Sequence, residues 1–231
     1  MTQLFHDQLN ELLISSSLPL LVNKARVLEI GSHRGRLTQR LAPLLEQEKL
    51  YTLDRKILIN PNAKSSICAD AEALPFDKAY FDWIVSGGTF QWFENESQTL
   101  EELYRLTKPG GTLSFSQFVE GSMEPLGKNL KALKEDERLL KLKNETQVRS
   151  IIEKSCWKCL DYQQLSGTDW FQSFPDSLRF LREIGATRVL QHRYFKPSNY
   201  KKLCLEMQNS KTEVGYPLQW EAIVVVLQKL A

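Results

Sequence analysis

The fold of this chain follows from the stretch Val27-Leu28-Glu29-Ile30-Gly31-Ser32-His33-Arg34-Gly35. Its apolar run predicts a buried strand, and the glycine-containing turn leads into helical spacing from Leu37 to Leu45. Further strand-like runs alternate with helical patterns, which is typical of a parallel sheet built from βαβ units. The predicted strands of this α/β fold are Arg26–Ile30, Leu50–Leu53, Ser65–Ala69, Phe81–Val85 and Thr112–Phe118.

The second half of the chain changes rhythm, and helical patterns predominate there. Just before it, Ser97 is predicted to cap a helix that Lys108-Pro109-Gly110-Gly111 ends. Past residue 120 we predict helices over 128–143, 147–155, 175–184 and 198–208, a strand over 160–165 followed by a loop, and a final strand over 218–229. We predict a single domain over residues 1–231, with a short helical segment over 1–25, a cofactor-binding core over 26–118, and a cap formed by about 120–145 and 165–215.

Composition excludes several classes of protein. With 231 residues, 42% of them apolar and 25% charged, the chain can bury a substantial core. Its 30 basic and 28 acidic side chains leave a net charge of +2, too balanced for a protein that coats nucleic acid. The apolar run from Ala222 to Leu227 is too short to cross a membrane, and the N-terminus lacks a secretory signal pattern. We expect a cytoplasmic monomer that binds neither nucleic acid nor membrane.

The cysteines give little support to a metal or redox site. Cys156 and Cys159 form a C-x-x-C pair, but a zinc site needs further ligands of this kind. The other two cysteines, Cys68 and Cys204, are isolated in the sequence. We therefore expect four reduced thiols and no bound metal.

The class of ligand that the glycine turn binds can be inferred from its differences from the dinucleotide motif. Dinucleotide sites use G-x-G-x-x-G so that backbone amides meet a pyrophosphate, but the second and third glycine positions hold His33 and Arg36. S-adenosylmethionine is a nucleoside ligand without phosphate, and its ribose hydroxyls, adenine amine and ammonium need acceptors. A carboxylate accepts hydrogen bonds from all of these groups. The acids that end three successive strands, Glu29, Asp54 and Asp70, therefore predict an S-adenosylmethionine site, with solvated surface acids as the alternative.

Residues 26–118 resemble the class I methyltransferases. The resemblance is carried by Arg26–Thr38, Asp54, Asp70-Ala71-Glu72-Ala73-Leu74-Pro75-Phe76, Phe81–Ser86 and Glu101–Phe115. It implies a Rossmann-like fold with a mostly parallel seven-stranded sheet, helices on both faces and a helical cap from C-terminal insertions. We expect Asp54 to hold the ribose and Asp70 the adenine amine. The cofactor-binding residues that the resemblance implies are Glu29, Gly31, Ser32, Gly35, Asp54, Asp70, Ala71 and Ser86.

Later elements are similar to the malonyl-acyl-carrier-protein methyltransferases of biotin synthesis. These elements are Phe90-Gln91-Trp92, Val119–Ser122, Phe174–Arg179, Ile184–Thr187 and Gly215–Leu218. The similarity implies a malonyl group on acyl carrier protein, or malonyl-CoA, as the methyl acceptor, with Gln91 and Trp92 beside it. A malonyl carboxylate is already ionised at pH 7, so the reaction needs no general base. We therefore nominate no catalytic residue, and we assign structural roles to the three histidines His6, His33 and His192.

A basic segment over residues 179–202 suggests how an acidic carrier protein would dock. It contains seven basic residues and a single acid, Glu183. Complementary charge steers the encounter between proteins, so we expect Arg179 and Arg182 to contact the carrier. The basic residues are Arg179, Arg182, Arg188, Arg193, Lys196, Lys201 and Lys202.

Two other functions remain open on the sequence alone. One is a methyltransferase of the same fold that acts on another small molecule. The other is a non-catalytic binding protein of this fold, which is indicated by His33 at the middle glycine position of the turn.

Overall fold

The computed structural model describes residues 4–21, 25–45, 49–56, 59–135, 140–184, 186 and 196–230. The chain divides into two compact units. Unit 1 comprises Met1–Gln117, Lys143–Leu165 and Ile223–Ala231, and unit 2 comprises Phe118–Leu142 and Ser166–Ala222. A single domain with a cap over an acceptor site stays a prediction.

The helices lie in both units. Their bounds are α1 (Phe5–Ser17), α2 (Arg36–Leu41), α3 (Glu96–Leu106), α4 (Leu126–Ala132), α5 (Glu145–Glu153), α6 (Phe174–Glu183) and α7 (Pro197–Asn209). Short 3₁₀ turns cover Leu18–Leu20, Ala42–Leu44 and Phe90–Trp92. The described residues between β2 and β3 contain no helix, as the proline in that link leads one to expect.

Seven strands form one sheet in the order β3-β2-β1-β4-β5-β7-β6. Four neighbouring pairs, β1–β2, β2–β3, β1–β4 and β4–β5, are parallel. The Gly110 amide donates to the Lys229 carbonyl and the Val119 amide donates to the Glu221 carbonyl, so β7 and β5 run antiparallel. The predicted fold class is confirmed. The strands are β1 (Val27–Ile30), β2 (Leu50–Asp54), β3 (Ser65–Cys68), β4 (Phe81–Gly87), β5 (Thr107–Phe118), β6 (Lys158–Phe171) and β7 (Tyr216–Gln228).

The interior of unit 1 is built on the central strands β1 and β4. Leu28 and Ile84 are fully buried, because parallel strands covered on both faces are apolar on both. Trp83 is also buried, and its indole Nε1 donates a hydrogen bond to Ser114 Oγ at 2.7 Å. On α1, Asp7 forms an ion pair with Arg40 of α2 at 3.0 Å, which ties the N-terminal helix to the helix that follows the glycine turn.

Helix α3 begins earlier than the sequence predicted. Asn95 caps it, since Asn95 Oδ1 accepts a hydrogen bond from the Gln98 backbone amide at 3.1 Å. Ser97 lies inside the helix, and its prediction as the cap is wrong. Both residue types cap helices well. The earlier start places Glu96 in the first turn, where its side chain is buried.

Strand β5 also begins earlier than the predicted Thr112. Thr107 already pairs with Phe81, and Thr112 pairs with Trp83 after a shift of register. The predicted turn over Lys108–Gly111 is therefore an irregularity within the strand rather than a turn before it. Gly110 permits it, because its φ of +77° lies in the left-handed region that favours glycine.

The predicted helix over 128–143 is wrong in its length. Helix α4 ends at Ala132, and Lys134 adopts a left-handed φ of 56° while the Glu135 amide donates back to the Leu130 carbonyl at 2.9 Å. Residues 140–144 are not helical, and 136–139 lie outside the described residues.

The predicted loop after residue 165 is also wrong, because β6 continues to Phe171. In unit 2 the buried Trp220 donates its indole N–H to Asp169 Oδ2 at 2.9 Å, which fixes this extension. Trp220 also contacts the rings of Phe118 and Phe180, and these three aromatic side chains form part of the core of unit 2. The final strand runs from Tyr216 to Gln228 instead of over 218–229.

Candidate functional site

The glycine turn lies where β1 ends beside β2. Gly31 and Gly35 both have φ +75°, which only glycine adopts without cost. The backbone amides of Gly31 and Ser32 both donate to the Leu53 carbonyl, at 2.7 and 3.1 Å. The turn is therefore held against the carboxyl end of β2, the edge at which α/β sheets bind ligands.

Asp54 and His33 are joined through the backbone. The His33 amide donates to Asp54 Oδ2 at 2.9 Å, and the Lys56 amide donates to Oδ1 at 3.1 Å. His33 has a φ of 42°, so it adopts the left-handed conformation that a glycine would take there. Partial burial is the main cause that lowers the pKa of His33, and the nearby charge of Asp54 opposes this shift.

Two close approaches at this edge were not anticipated from the sequence. A Cβ on Gly31 would overlap Thr89 Oγ1 and lie 2.6 Å from Thr89 Cγ2. A Cβ on Gly87, the last residue of β4, would lie 2.7 Å from Oδ1 of the buried Asn10 on α1. The glycine pair Gly87-Gly88 at the end of β4 was the available signal for the second approach, since glycine inside a strand pattern often marks a close approach.

Glu29 and Ser86 face the interior rather than the open edge. Glu29 is 1% exposed, and its Oε2 accepts a hydrogen bond from Thr38 Oγ1 of α2 at 2.6 Å. Ser86 is fully buried, and its Oγ donates to the Ile30 carbonyl at 3.1 Å. Both side chains tie elements of the site together, and their contact with a cofactor stays a prediction.

Replacing Glu29 by glutamine is expected to stabilise the protein above pH 7. Burial raises the pKa of Glu29 from 4.5 to about 7, so the folded state binds more protons than the unfolded state between these values. Stability therefore falls as pH rises through this window. The glutamine of the variant cannot ionise and still accepts a hydrogen bond from Thr38. The variant should therefore raise the free energy of unfolding by about 3 kcal/mol at pH 8, and this difference from wild type should vanish near pH 4.5. Urea unfolding from pH 4.5 to 8.5 measures it.

The matched control is Glu101→Gln at an exposed position of α3. Its effect on the free energy of unfolding should stay the same across the pH range. A difference between wild type and Glu29→Gln that does not grow with pH would contradict the assignment.

Asp70 and Ala71 lie in the turn after β3. Asp70 Oδ1 accepts from the Glu72 amide at 3.1 Å, and Arg55 approaches its Oδ2 at 3.7 Å. The Asp70 side chain is 48% exposed and so retains acceptor capacity toward a ligand, whereas Ala71 is buried. Glu72 Oε1 accepts from the backbone amide of Asn95, which joins this turn to the start of α3.

Gln91 and Trp92 lie in the 3₁₀ turn that follows β4. Gln91 Nε2 donates to the Gly88 carbonyl at 2.7 Å. The turn is anchored by Phe90, whose ring stacks on Phe115 of β5 with centroids 3.9 Å apart. Gln91 and Trp92 are both partly exposed, and they lie in the same unit as the glycine turn.

The predicted docking residues Arg179 and Arg182 are exposed on α6 in unit 2. Arg179 is 67% exposed and pairs with Asp176 at 2.9 Å. Of the other basic residues in the segment, Lys196, Lys201 and Lys202 are exposed, and Arg188 and Arg193 lie outside the described residues.

The described part of the chain contains no group of three or more His, Cys, Asp or Glu that could hold a metal. The four cysteines are free thiols, and Cys156 and Cys159 are both exposed. Burial lowers the pKa of His6 to about 4, and His192 lies outside the described residues. No helix in the described ranges has the length and apolar character that a membrane crossing needs.

Comparison with known proteins gives one family and several relatives. Residues 28–115 match the methyltransferase domain family. A malonyl-[acyl-carrier protein] O-methyltransferase of Marinomonas is 30% identical over 165 residues, which are 71% of this chain and 61% of that protein. The protein of the same name from Salmonella typhimurium is 24% identical over 231 residues, covering 97% of this chain and 91% of the relative.

Solved structures share the fold at low sequence identity. The YcgJ protein of Bacillus subtilis superposes with a TM-score of 0.66 at 16% identity, covering 97% of this chain and 99% of that one. A phosphoethanolamine N-methyltransferase of Haemonchus contortus in complex with S-adenosyl-L-methionine gives a TM-score of 0.59 at 17% identity, covering 97% and 53%.

Proposed function

Because the chain belongs to the class I S-adenosylmethionine-dependent methyltransferases, we propose that it methylates the free carboxylate of malonyl-acyl carrier protein. The observation that carries this acceptor is the similarity to malonyl-[acyl-carrier protein] O-methyltransferases, although the chain spans only 61% of the Marinomonas relative. The methyl ester would mask the malonyl charge so that fatty-acid enzymes could extend the chain toward pimelate, for biotin synthesis.

The residues at the edge of β1 and β2 fit S-adenosylmethionine. Asp54 uses two of its roughly four acceptor positions for the amides of His33 and Lys56, and the remaining ones suit two ribose hydroxyls. Gly31, Ser32 and Gly35 would line the methionine end, and Asp70 would accept from the adenine amine. Burial lowers the pKa of His33, which favours the uncharged imidazole beside a sulfonium.

The proposed reaction needs positioning rather than proton transfer. When bound, S-adenosylmethionine supplies an electrophilic methyl group on a sulfonium. A malonyl carboxylate is already ionised at pH 7 and can accept that methyl group without a base. The task of the protein is to hold the two reactants in line and to exclude water. The proposed reaction therefore requires no general base, and we nominate none.

The proposal is tested with labelled S-adenosylmethionine and malonyl-acyl carrier protein, with acetyl-acyl carrier protein as the control that lacks a carboxylate. We expect label in a methyl ester of the malonyl carrier alone. A protein that binds S-adenosylhomocysteine but labels neither carrier would act on another acceptor. A protein that does not bind S-adenosylhomocysteine would be a non-catalytic member of the fold.

Reversing the charges of Arg179 and Arg182 to glutamate should raise the KM for malonyl-acyl carrier protein about tenfold or more at low salt. Both side chains are exposed on α6, and their attraction to an acidic carrier acts over a distance that salt shortens. Cofactor affinity and activity on a small malonyl thioester should hardly change. Steady-state kinetics at two salt concentrations measure both effects.

The control carries the same change of net charge at Lys154 and Lys158, which are exposed in unit 1. Equal losses on the carrier and on the small thioester would mean that the two arginines support the fold instead. An unchanged KM for the carrier would mean that Arg179 and Arg182 are solvent-exposed residues with no role in docking.

A further inference from the structure

A buried carboxylate lies at the start of α3, outside the residues assigned above. The side chain of Glu96 is 3% exposed, yet it carries a charge that must be balanced. Lys143 Nζ approaches Glu96 Oε1 at 3.0 Å, and Gln117 Nε2 donates to the same oxygen at 3.0 Å. We call these three residues, all in unit 1, the Glu96 node.

The node is incomplete at Gln117. A carboxylate accepts hydrogen bonds but cannot donate them, so the NH₂ group of Gln117 must face Glu96. Its Oε1 then points elsewhere, and within the described ranges no donor reaches that buried atom. Gln117 itself is 1% exposed. A buried amide oxygen without a donor is costly, and an N–H or O–H group of a ligand would satisfy it.

The node also holds an ammonium group that is accessible from outside. An ammonium has three N–H donors, and among the described residues Glu96 is the partner found for Lys143. The Lys143 side chain is 36% exposed, so its remaining donors can reach an anion from solvent. Glu96 both fixes the position of this cation and keeps the lysine from swinging freely.

The node lies at the same edge of the sheet as the glycine turn. Gln117 is near the carboxyl end of β5, directly after Ser116, whose carbonyl and Oγ both accept from the Gly88 amide at 3.1 and 3.0 Å. Gly88 follows β4, which pairs with both β1 and β5. Neighbouring strands are about 4.8 Å apart, so the node is within a substrate's length of the turn.

We propose that Lys143, positioned by Glu96, binds the carboxylate of the methyl acceptor, and that Gln117 Oε1 accepts a hydrogen bond from the same ligand. This inference rests on the proposed function, because it needs an acceptor that carries a carboxylate. A thioester arm with amide groups supplies the N–H donor. Without Lys143 the buried Glu96 would repel an anionic acceptor, so the lysine decides whether the site takes a carboxylate.

The test compares the affinities for malonyl and acetyl thioesters of a short pantetheine arm, measured by calorimetry on protein saturated with S-adenosylhomocysteine. The key variant is Glu96→Gln with Lys143→Met, which removes both charges together and leaves no unpaired buried carboxylate. Its preference for malonyl over acetyl should fall about tenfold. Glu96→Gln alone keeps the ammonium and an amide oxygen that can still accept a hydrogen bond from it, so most of the preference should remain. Lys141→Met, an exposed lysine of the same segment, is the matched control.

The outcomes separate the inference from the proposed function. A double variant that keeps the malonyl preference of the wild type overturns the role of Lys143, even where the wild type methylates malonyl-acyl carrier protein. A wild type without any malonyl preference overturns it as well. If the double variant loses the malonyl preference and the Glu96→Gln and Lys141→Met variants keep it, the role of Lys143 is supported. This holds even where the wild type fails to methylate malonyl-acyl carrier protein. A purely structural node would weaken both thioesters equally, which also overturns the proposal.

Discussion

Replacing Gly31 by alanine should destabilise the protein by about 2–5 kcal/mol and abolish measurable cofactor binding. Gly31 has φ +75°, and its new Cβ would overlap Thr89 Oγ1 and lie 2.7 Å from Thr89 Cβ. Left-handed strain and steric overlap therefore add at one position. Urea unfolding measures the stability, and calorimetric titration with S-adenosylhomocysteine measures the binding.

Gly110 offers a matched control for the strain alone. It has φ +77°, nearly the same as Gly31, but nothing lies within 4 Å of the Cβ that an alanine would add. Gly110→Ala should cost about 1–2 kcal/mol and leave cofactor affinity unchanged. Equal losses of stability in the two variants would mean that the contact with Thr89 yields easily and that only the left-handed conformation matters.

Removing the Asp54 carboxylate should weaken cofactor binding by one to two decades. Asp54 is the proposed acceptor for the ribose, and it also accepts the amide of His33 that orders the turn. Loss of a charged hydrogen-bonding partner costs about 1.5–3 kcal/mol, or roughly tenfold to a hundredfold in affinity. Asp54→Ala should therefore raise the Kd for S-adenosylhomocysteine, while the KM for the acceptor changes far less.

Two further variants make the Asp54 result specific. Asp54→Asn keeps an oxygen for the His33 amide but loses the charge, so its Kd should lie between those of wild type and Asp54→Ala. Asp77→Ala removes an exposed acid of the same unit and should have no effect. Unchanged cofactor affinity in both Asp54→Ala and Asp70→Ala would refute the assignment of the strand-end acids.

If both results hold, backbone contacts shape the glycine turn, and the side chain of Asp54 both orders the turn and binds the cofactor. The amides of Gly31 and Ser32 donate to Leu53, and the amide of His33 donates to Asp54. The turn is thus shaped before any ligand arrives. A preshaped turn lowers the entropic cost of binding, which suits a reaction that depends on alignment more than on acid–base groups.

Local signals in the sequence were sufficient for the sheet and for the position of the turn. The apolar run before Gly31 and the acids at Asp54 and Asp70 are features of short segments, and each was identified without its neighbours. The sequence predicted the ends of helices and strands less well than their existence. Asn95 and Ser97 are equally good caps, and in the folded chain Asn95 caps the helix while Glu96 is buried in its first turn.

Contacts between distant segments could be found only in the folded chain. Thr89 against Gly31, Asn10 against Gly87, and the pairing of Lys143 with Glu96 across 47 positions have no period or motif in the sequence. Each depends on which strands are neighbours and in which register. The fold, the turn and the strand-end acids were predictable from the amino acids alone, because they follow from patterning and turn chemistry. The burial of Glu29 and the charge pairing in the Glu96 node were not, because burial and charge pairing are properties of packed neighbours.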